Sequence, residues 1–355
     1  MTSLPGLNLI FHSVRQGGGM ERHVLDLIRY ASERGLPVRV VTRLLDWPGL
    51  PPKQVEFAVV PDRTPFARIN TFIFESSALS KCHPQWPTIG ISRVPGVAMC
   101  IVGGTHKGHL IDRGREYIGF LNRRTIAREK EMYRRAQVIV AHSAKVAHEI
   151  SRYYDVESEK ITTLYPPVST TEFSLSARTV RDEVRKKIGV TTGQFLLLFP
   201  SNNHPLKGAD LILEALNNFD PRIKLVVAGK MPLNAPNVIN LGFCSDMPAL
   251  YGAADAVILA SHYEAFGLVG PEAVLCGTPA VFANTVGAAE VLSEDACIRF
   301  DRTVPSLRTA LNTALAKFEM GELNLNDPDS HIQYPYTPSQ HFDKVFDLLS
   351  CTLKR

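Results

Sequence analysis

The chain has 355 residues, 45% hydrophobic and 21% charged, and its 39 Lys and Arg against 35 Asp and Glu leave a formal net charge of +4. This composition fits a soluble enzyme large enough to bury two ordinary cores. No apolar run approaches the roughly 20 residues of a membrane span, and residues 1–30 lack a hydrophobic stretch ending in a small-residue cleavage site, so a cytoplasmic location is expected. Six cysteines (Cys82, Cys100, Cys244, Cys276, Cys297 and Cys351) show no Cys-x-x-Cys spacing, which speaks against a zinc ribbon or a disulfide framework and for reduced, mostly buried thiols.

In chain order, residues 7–14 read as a strand, Gly17, Gly18 and Gly19 as a turn, and the following stretch to Gly35 as an amphipathic helix of about fifteen residues. Strands are expected at 37–42, 55–60, 97–102 and 137–142. Pro166-Pro167 and the polar segment to about residue 185 read as a linker. Beyond it, strands are expected at 195–199, 223–228, 237–241, 256–260 and 279–282, with helices at 209–216 and from about Pro271 to Gly277. Alternating strands and helices in both halves predict parallel sheets covered by helices.

The densest chemistry lies in residues 262–273, where Glu264 and Glu272 stand eight positions apart around a small Gly-containing loop that leads into a helix. Both carboxylates then fall at the carboxyl end of the strand 256–260, where open α/β sheets bind ligands. The spacing keeps the two groups from lying side by side on one helix, so each holds a different part of an elongated ligand. A carboxylate suits the vicinal hydroxyls of a sugar or ribose, while Phe266, Gly267 and Leu268 offer backbone N–H groups. The plainer alternative has Glu272 complementing the helix dipole and Glu264 solvated.

Lys207 precedes a helix whose dipole it opposes, a poor place for an idle lysine and a good one for a ligand phosphate. Asn202, Asn203 and His204 beside it are neutral donors. The glycines at 17–19 permit positive φ and close approach to a diphosphate or sugar, or simply form a tight turn, and they lack the full Gly-x-Gly-x-x-Gly pattern. In residues 102–109, His106 either bonds a sugar hydroxyl or caps a turn.

Residues 113–135 carry Arg113, Arg115, Arg123, Arg124, Arg128, Lys130, Arg134 and Arg135 against Glu116, Glu129 and Glu131. Such a basic helical face suits anionic headgroups or a phosphorylated glycolipid, with Ile118, Phe120, Leu121, Ile126, Met132 and Tyr133 packing inward or onto lipid. A solvated helix with Arg–Glu pairs is the alternative. No RNA- or DNA-binding module accompanies it, so no nucleic-acid partner is expected.

Residues 262–273 resemble the Glu-x7-Glu motif of retaining glycosyltransferases of the GT-B fold, and most of all glycosyltransferase family 4. The Gly turn with its helix, the Lys207-Gly208 pair, the His106 loop, and the segments 136–143 and 160–168 with Phe173 are similar to that family's corresponding segments. The helix–strand order around the basic stretch is similar to lipopolysaccharide core glucosyltransferases. One departure stands out: the family commonly has an Arg six residues before the Lys, where this chain has Ser201.

The resemblance implies an α/β GT-B architecture, two Rossmann-like domains with parallel sheets facing an interdomain cleft. Residues 1–168 would be the acceptor domain, with the helix 335–355 packing back on it, and 169–334 the donor domain. It further implies retaining transfer of a hexose from a nucleotide-sugar, UDP favoured over GDP, to a glycolipid or polysaccharide acceptor in bacterial cell-envelope biosynthesis. Lys207, Glu264 and His106 would be catalytic, with Lys207 on the diphosphate and Glu264 on the transferred sugar. Gly18, Gly19, Asn203, Phe266, Gly267, Leu268 and Glu272 would bind the donor, Glu272 through the ribose. No cofactor and no metal is implied, because Lys207 supplies the positive charge. The enzyme would be cytoplasmic and peripheral on the inner face of the inner membrane through residues 113–135. Two alternatives stay open: a non-catalytic nucleotide-sugar-binding paralogue, which Ser201 keeps in view, and a nucleotide-sugar epimerase of the same fold.

Overall fold

The computed structural model describes residues 4–115 and 118–353; Glu116, counted in the basic stretch above, lies outside the described residues. The chain divides into two units, Met1–Pro167 with Pro338–Arg355, and Val168–Thr337. Both are parallel-sheet α/β units, as the alternation of strands and helices predicts.

The first unit holds a seven-stranded sheet in the order Val55–Val59, Val38–Thr42, Leu7–Ile10, Thr88–Gly90, Met99–Val102, Val138–Ala141, Ile161–Thr163, every pair parallel. Met99–Val102 is buried along its whole length, which is why it reads as an unbroken apolar run; Leu7–Ile10 is equally buried but carries Asn8, whose side-chain amide donates to the His83 and Trp86 carbonyls at 2.9 Å. Strand order reverses between Leu7–Ile10 and Thr88–Gly90, a switch point beside the turn that carries Gly18. The helix Pro338–Thr352 returns to this unit and buries Phe342, Val345 and Leu349 in the same core as Leu27, Ile28 and Tyr30 of the helix Gly19–Glu33. The Tyr30 hydroxyl donates to Asp343, and Arg34 lies 3.5 Å from the same carboxylate.

The second unit holds six parallel strands in the order Val238–Gly242, Ile223–Ala228, Phe195–Pro200, Ala256–Leu259, Ala280–Ala283, Cys297–Phe300. Its switch point lies between Phe195–Pro200 and Ala256–Leu259. Asp255, buried at the start of the latter strand, accepts from the Leu196 N–H at 2.6 Å and from Arg185 at 2.9 Å, and pairs with Arg181. A buried carboxylate with this many donors holds the two central strands in register.

The sequence reading differs from the structure in three places. The expected strand 7–14 ends at Ile10, and Ser13–Arg15 pairs with Leu44–Asp46 in a separate two-stranded ribbon. Strands Thr88–Gly90, Ile161–Thr163 and Cys297–Phe300 escape periodicity because three or four residues carry too little pattern. The expected linker ends short of residue 185: residues 164–174 form neither helix nor strand, but 175–187 fold into a 3-10 turn, Leu175–Val180, and the helix Arg181–Lys187, whose arginines are the partners of Asp255. Polarity there marks ion pairing rather than a solvated tether. Among the described residues no helix is long and apolar enough to cross a membrane, and all six cysteines are free thiols.

Candidate functional site

In the second unit, the two loops that leave the central strands at the switch point carry the candidate charges. After Phe195–Pro200 the chain makes a one-turn helix, His204–Lys207, capped by the Asn203 side chain, which accepts from the Leu206 N–H at 3.3 Å. Gly208 then turns the chain at φ +76° into the helix Ala209–Leu216. A Cβ at Gly208 would stand 2.6 Å from the carbonyl carbon of Ala260 and 2.9 Å from its Cβ. Glycine after Lys207 is thus required twice, by the left-handed backbone and by contact with the neighbouring strand end. The His262 N–H donates to the Leu206 carbonyl at 3.0 Å, which ties the two loops together. The Lys207 ammonium pairs with the Glu264 carboxylate, each side chain about one-fifth exposed.

Glu264 is held from a third side by the loop after Ala280–Ala283. The Gly287 N–H donates to the Glu264 carbonyl at 3.1 Å, Ala288 N–H to the Phe266 carbonyl at 2.6 Å, and the Thr285 hydroxyl to the Ser261 carbonyl at 2.6 Å. Phe266 is buried against Tyr334, and Gly267 turns at φ +98°. Leu268 caps the helix Val269–Leu275, which begins two residues before Pro271. Glu272 lies in this helix, 6% exposed, and accepts from the Tyr251 hydroxyl at 2.9 Å. The sequence motif therefore becomes one mostly buried carboxylate against a lysine and one buried carboxylate oriented by a tyrosine.

The position where an Arg was missed is closed. Ser201 is buried, its hydroxyl 2.8 Å from His204 Nδ1, while His204 Nε2 donates to the Met231 carbonyl at 2.7 Å. Since a ring that donates from Nε2 keeps a lone pair at Nδ1, Ser201 is the donor to it. Periodicity missed Tyr251 and Arg302. The Arg302 guanidinium donates to the Ala260 carbonyl at 2.8 Å and lies 2.9 and 3.0 Å from the two ring nitrogens of His262, bracing the turn that leads to Glu264. The one sequence signal for Arg302 is its place at the carboxyl end of Cys297–Phe300, a strand the pattern did not reveal.

Gly18, Gly19 and His106 belong to the first unit. None of the three glycines of the turn takes a positive φ, and Gly18 caps the helix Gly19–Glu33 at φ −74°. Smallness is what that turn needs, since the Glu21 side chain folds back over Gly17 and Gly18. Gly103 packs on Met20, which brings the turn beside the loop carrying His106. His106 opens the helix His106–Asp112; its N–H donates to the buried Glu129 carboxylate at 3.1 Å and its Nε2 lies 3.1 Å from Asn122 Oδ1.

The same Glu129 accepts from Arg93 at 2.9 Å and from the Tyr154 hydroxyl, and neighbouring Glu75 pairs with Arg128 at 3.1 Å. Burial pushes the Glu75 carboxyl up to about 7 against the pull of Arg93 and Arg128. Part of the basic stretch is therefore structural: Arg128 serves Glu75, while Arg134 and Arg135 pair with Glu131. Met132 and Tyr133 are buried, whereas Phe120 is 70% exposed and Leu121 41%.

The chain matches a family model described as Glycosyl transferases group 1 over residues 180–318, and one described as Glycosyltransferase Family 4 over residues 17–172. It is 32% identical over 352 residues to a probable transglycosylase of Burkholderia thailandensis, 96% of each chain. The lipopolysaccharide glucosyltransferase WaaG of Escherichia coli is 25% identical over 310 residues, 79% of this chain and 80% of WaaG. A crystal structure of WaaG superposes with a TM-score of 0.75 at 22% identity, covering 96% of this chain and 99% of that one. The structure of Anabaena HepE in complex with UDP and glucose gives 0.72 at 18% identity, covering 98% and 100%. At these identities the two solved structures bear on the fold.

Proposed function

This chain belongs to glycosyltransferase family 4, and from that premise we propose that it transfers a hexose from a UDP-sugar to a saccharide or glycolipid acceptor of the cell envelope, with retention of anomeric configuration. The observation that carries the reading is the pairing of Lys207 with Glu264 at the switch point of the second sheet, one loop from the buried, tyrosine-oriented Glu272. Glu272 accepts from the donor ribose, Glu264 from a hydroxyl of the transferred sugar, and Lys207 exchanges part of its contact with Glu264 for the diphosphate. Asn203, Phe266, Gly267 and Leu268 line the donor loops. The HepE structure, which holds UDP and glucose, supports a UDP-hexose, and WaaG, a lipopolysaccharide glucosyltransferase, supports a hexose and an envelope acceptor.

The reaction breaks the bond from C1 of the sugar to the β-phosphate oxygen and forms a bond from C1 to the acceptor oxygen on the same face. The acceptor proton passes to the departing phosphate, which gains the electron pair of the broken bond. Lys207 stabilises that developing charge in a partly desolvated loop, and this is the role a metal ion plays in other transferases. Ser201 offers no second cation. The exposed Lys230, whose N–H donates to Asn202 Oδ1 at 3.2 Å, stands at the carboxyl end of the adjacent strand Ile223–Ala228 and is the candidate for it.

In the first unit, Gly18 and Gly19 present the amino end of a 15-residue helix to an anionic group, and His106 serves the acceptor side. Phe120 and Leu121, exposed beside Arg123 and Arg124, form the contact with anionic lipid.

The test is release of nucleoside diphosphate (UDP or GDP) from a panel of UDP- and GDP-sugars, with and without a bacterial glycolipid extract, by wild type, Lys207→Ala and Glu272→Ala. Release from one donor, at least tenfold weaker in both variants, is expected. Unchanged donor kinetics in both variants would overturn the site assignment, and donor binding without release would favour a non-catalytic paralogue.

A further inference from the structure

Three histidines from distant parts of the sequence meet inside the first unit. His23 lies on the helix Gly19–Glu33, His142 just past the strand Val138–Ala141, and His341 on the returning helix Pro338–Thr352. Their exposures are 3%, 2% and 0%. The rings meet edge to face, with centroids 4.9 Å apart for His23 and His142, 5.1 Å for His23 and His341, and 6.0 Å for His142 and His341.

Hydrogen bonding leaves this cluster incomplete. Both ring nitrogens of His23, Nε2 of His142 and Nε2 of His341 are buried without a hydrogen-bond partner. Each such nitrogen carries an uncompensated desolvation cost. For His341 the tautomer is fixed, because Nδ1 lies 2.9 Å from the Tyr165 carbonyl oxygen and must donate to it. Its Nε2 is then a bare lone pair with no proton acceptor role filled. An imidazole whose far nitrogen is anchored on a carbonyl is the usual arrangement of a metal-ligating histidine.

One nitrogen from each of the three rings lies within 4.8 Å of the other two. A single point therefore stands within about 2.8 Å of all three, and a movement of about 0.7 Å per ring reaches the roughly 2.1 Å of an imidazole–zinc bond. Burial also holds the three rings neutral, the state a ligand requires.

We propose that His23, His142 and His341 bind a late first-row transition ion, zinc in the first instance, through three imidazole nitrogens, with the fourth position taken by water or a small anion. The site holds no part of the transfer chemistry assigned above. Its consequence is structural: the ion would fasten the helix Pro338–Thr352 to the sheet and to the helix Gly19–Glu33.

The experiment uses the full chain, stripped with a chelator, desalted, and then given an excess of Zn2+ or Co2+ before a second desalting. About one zinc per chain is expected by elemental analysis, together with visible d–d absorption for the Co2+ form and a melting temperature several degrees above the stripped protein. His341→Gln should retain less than a tenth of that metal, while His148→Gln, at an exposed histidine of the helix Ala144–Tyr154, should retain it all. Should His341→Gln fail to fold, the wild-type stoichiometry and the Co2+ spectrum still decide the matter. Wild type that keeps less than about a tenth of an ion per chain, with no Co2+ absorption and no change in melting temperature, refutes the site. Equal retention by wild type and a folded His341→Gln also refutes it, placing the metal elsewhere.

Discussion

Replacing Gly208 by Ala tests whether the Lys207 turn is held by the strand end beside it. The backbone at Gly208 has φ +76°, which costs an alanine about 1 kcal/mol. The added Cβ would stand 2.6 Å from the Ala260 carbonyl carbon and 2.9 Å from its Cβ, with the carbonyl oxygen nearer still. Neither neighbour is a flexible side-chain tip, so backbone must move, at roughly a further 1–3 kcal/mol. A total of about 3 kcal/mol in a unit of this size lowers the melting temperature by roughly 6–12 °C. Because a displacement near 1 Å at a positioned charge costs about 100-fold in rate, nucleoside-diphosphate release from the preferred donor should fall by that order. Gly189 is the control: its φ is +78° but no atom lies within 4 Å of its Cβ, so Gly189→Ala carries the conformational part alone, about 1 kcal/mol. Thermal melting and donor turnover of the two variants separate strain from contact. If Gly208→Ala melts with Gly189→Ala and turns over donor at the wild-type rate, the argument that Ala260 positions Lys207 is wrong.

Three further outcomes follow from the same geometry. Tyr251→Phe removes the hydroxyl that Glu272 accepts at 2.9 Å, a bond to a charged group worth about 1.5–3 kcal/mol, so donor KM should rise by about tenfold or more; an unchanged KM would detach Tyr251 from the ribose contact. Phe120→Ser with Leu121→Ser should weaken co-sedimentation with phosphatidylglycerol vesicles by about tenfold or more while leaving turnover of a soluble acceptor intact, and equal binding would remove these residues from any lipid contact. Burial lowers His142 to about 3 and His341 to about 4 in the metal-free fold, against 6.5 in the unfolded chain. The unfolded state therefore binds more protons below pH 6.5, and stability present above that pH is lost as pH falls toward 4. Each group contributes a slope of about 1.4 kcal/mol per pH unit, so the two remove roughly 4 kcal/mol between pH 7 and 5, while Glu75, raised to about 7 from 4.5, returns about 2 kcal/mol over the same range; urea unfolding of stripped His341→Gln that loses stability as steeply between pH 7 and 5 as the stripped wild type would contradict the burial argument.

Much of the second unit was legible in the sequence because its signals are local. Buried parallel strands read as apolar runs, and a lysine and two carboxylates placed just after such runs must sit at the carboxyl end of the sheet. Glu264 and Glu272 could be singled out by their spacing, their place after an apolar run and their likeness to the Glu-x7-Glu motif, and Lys207-Gly208 by its likeness to the same family's pair. The first unit was less readable. Its strands Thr88–Gly90 and Ile161–Thr163 are too short to carry a period, and of the two uses expected for the glycines at 17–19, positive φ is not taken, while Gly17 and Gly18 lie under the Glu21 side chain.

What the sequence determined by itself is the alternation of elements, the class of fold and the set of charged residues at strand ends, since each follows from nearest neighbours along the chain. Tertiary structure decided the partners. That Lys207 meets Glu264 across 57 positions, that Tyr251 orients Glu272, that Arg181 and Arg185 answer Asp255, and that His23, His142 and His341 share one buried point all depend on how strands and helices pack. Such pairings are set by the order of strands in a sheet and by the path of a returning helix, and no local pattern of residues encodes the distance between side chains that only packing brings together.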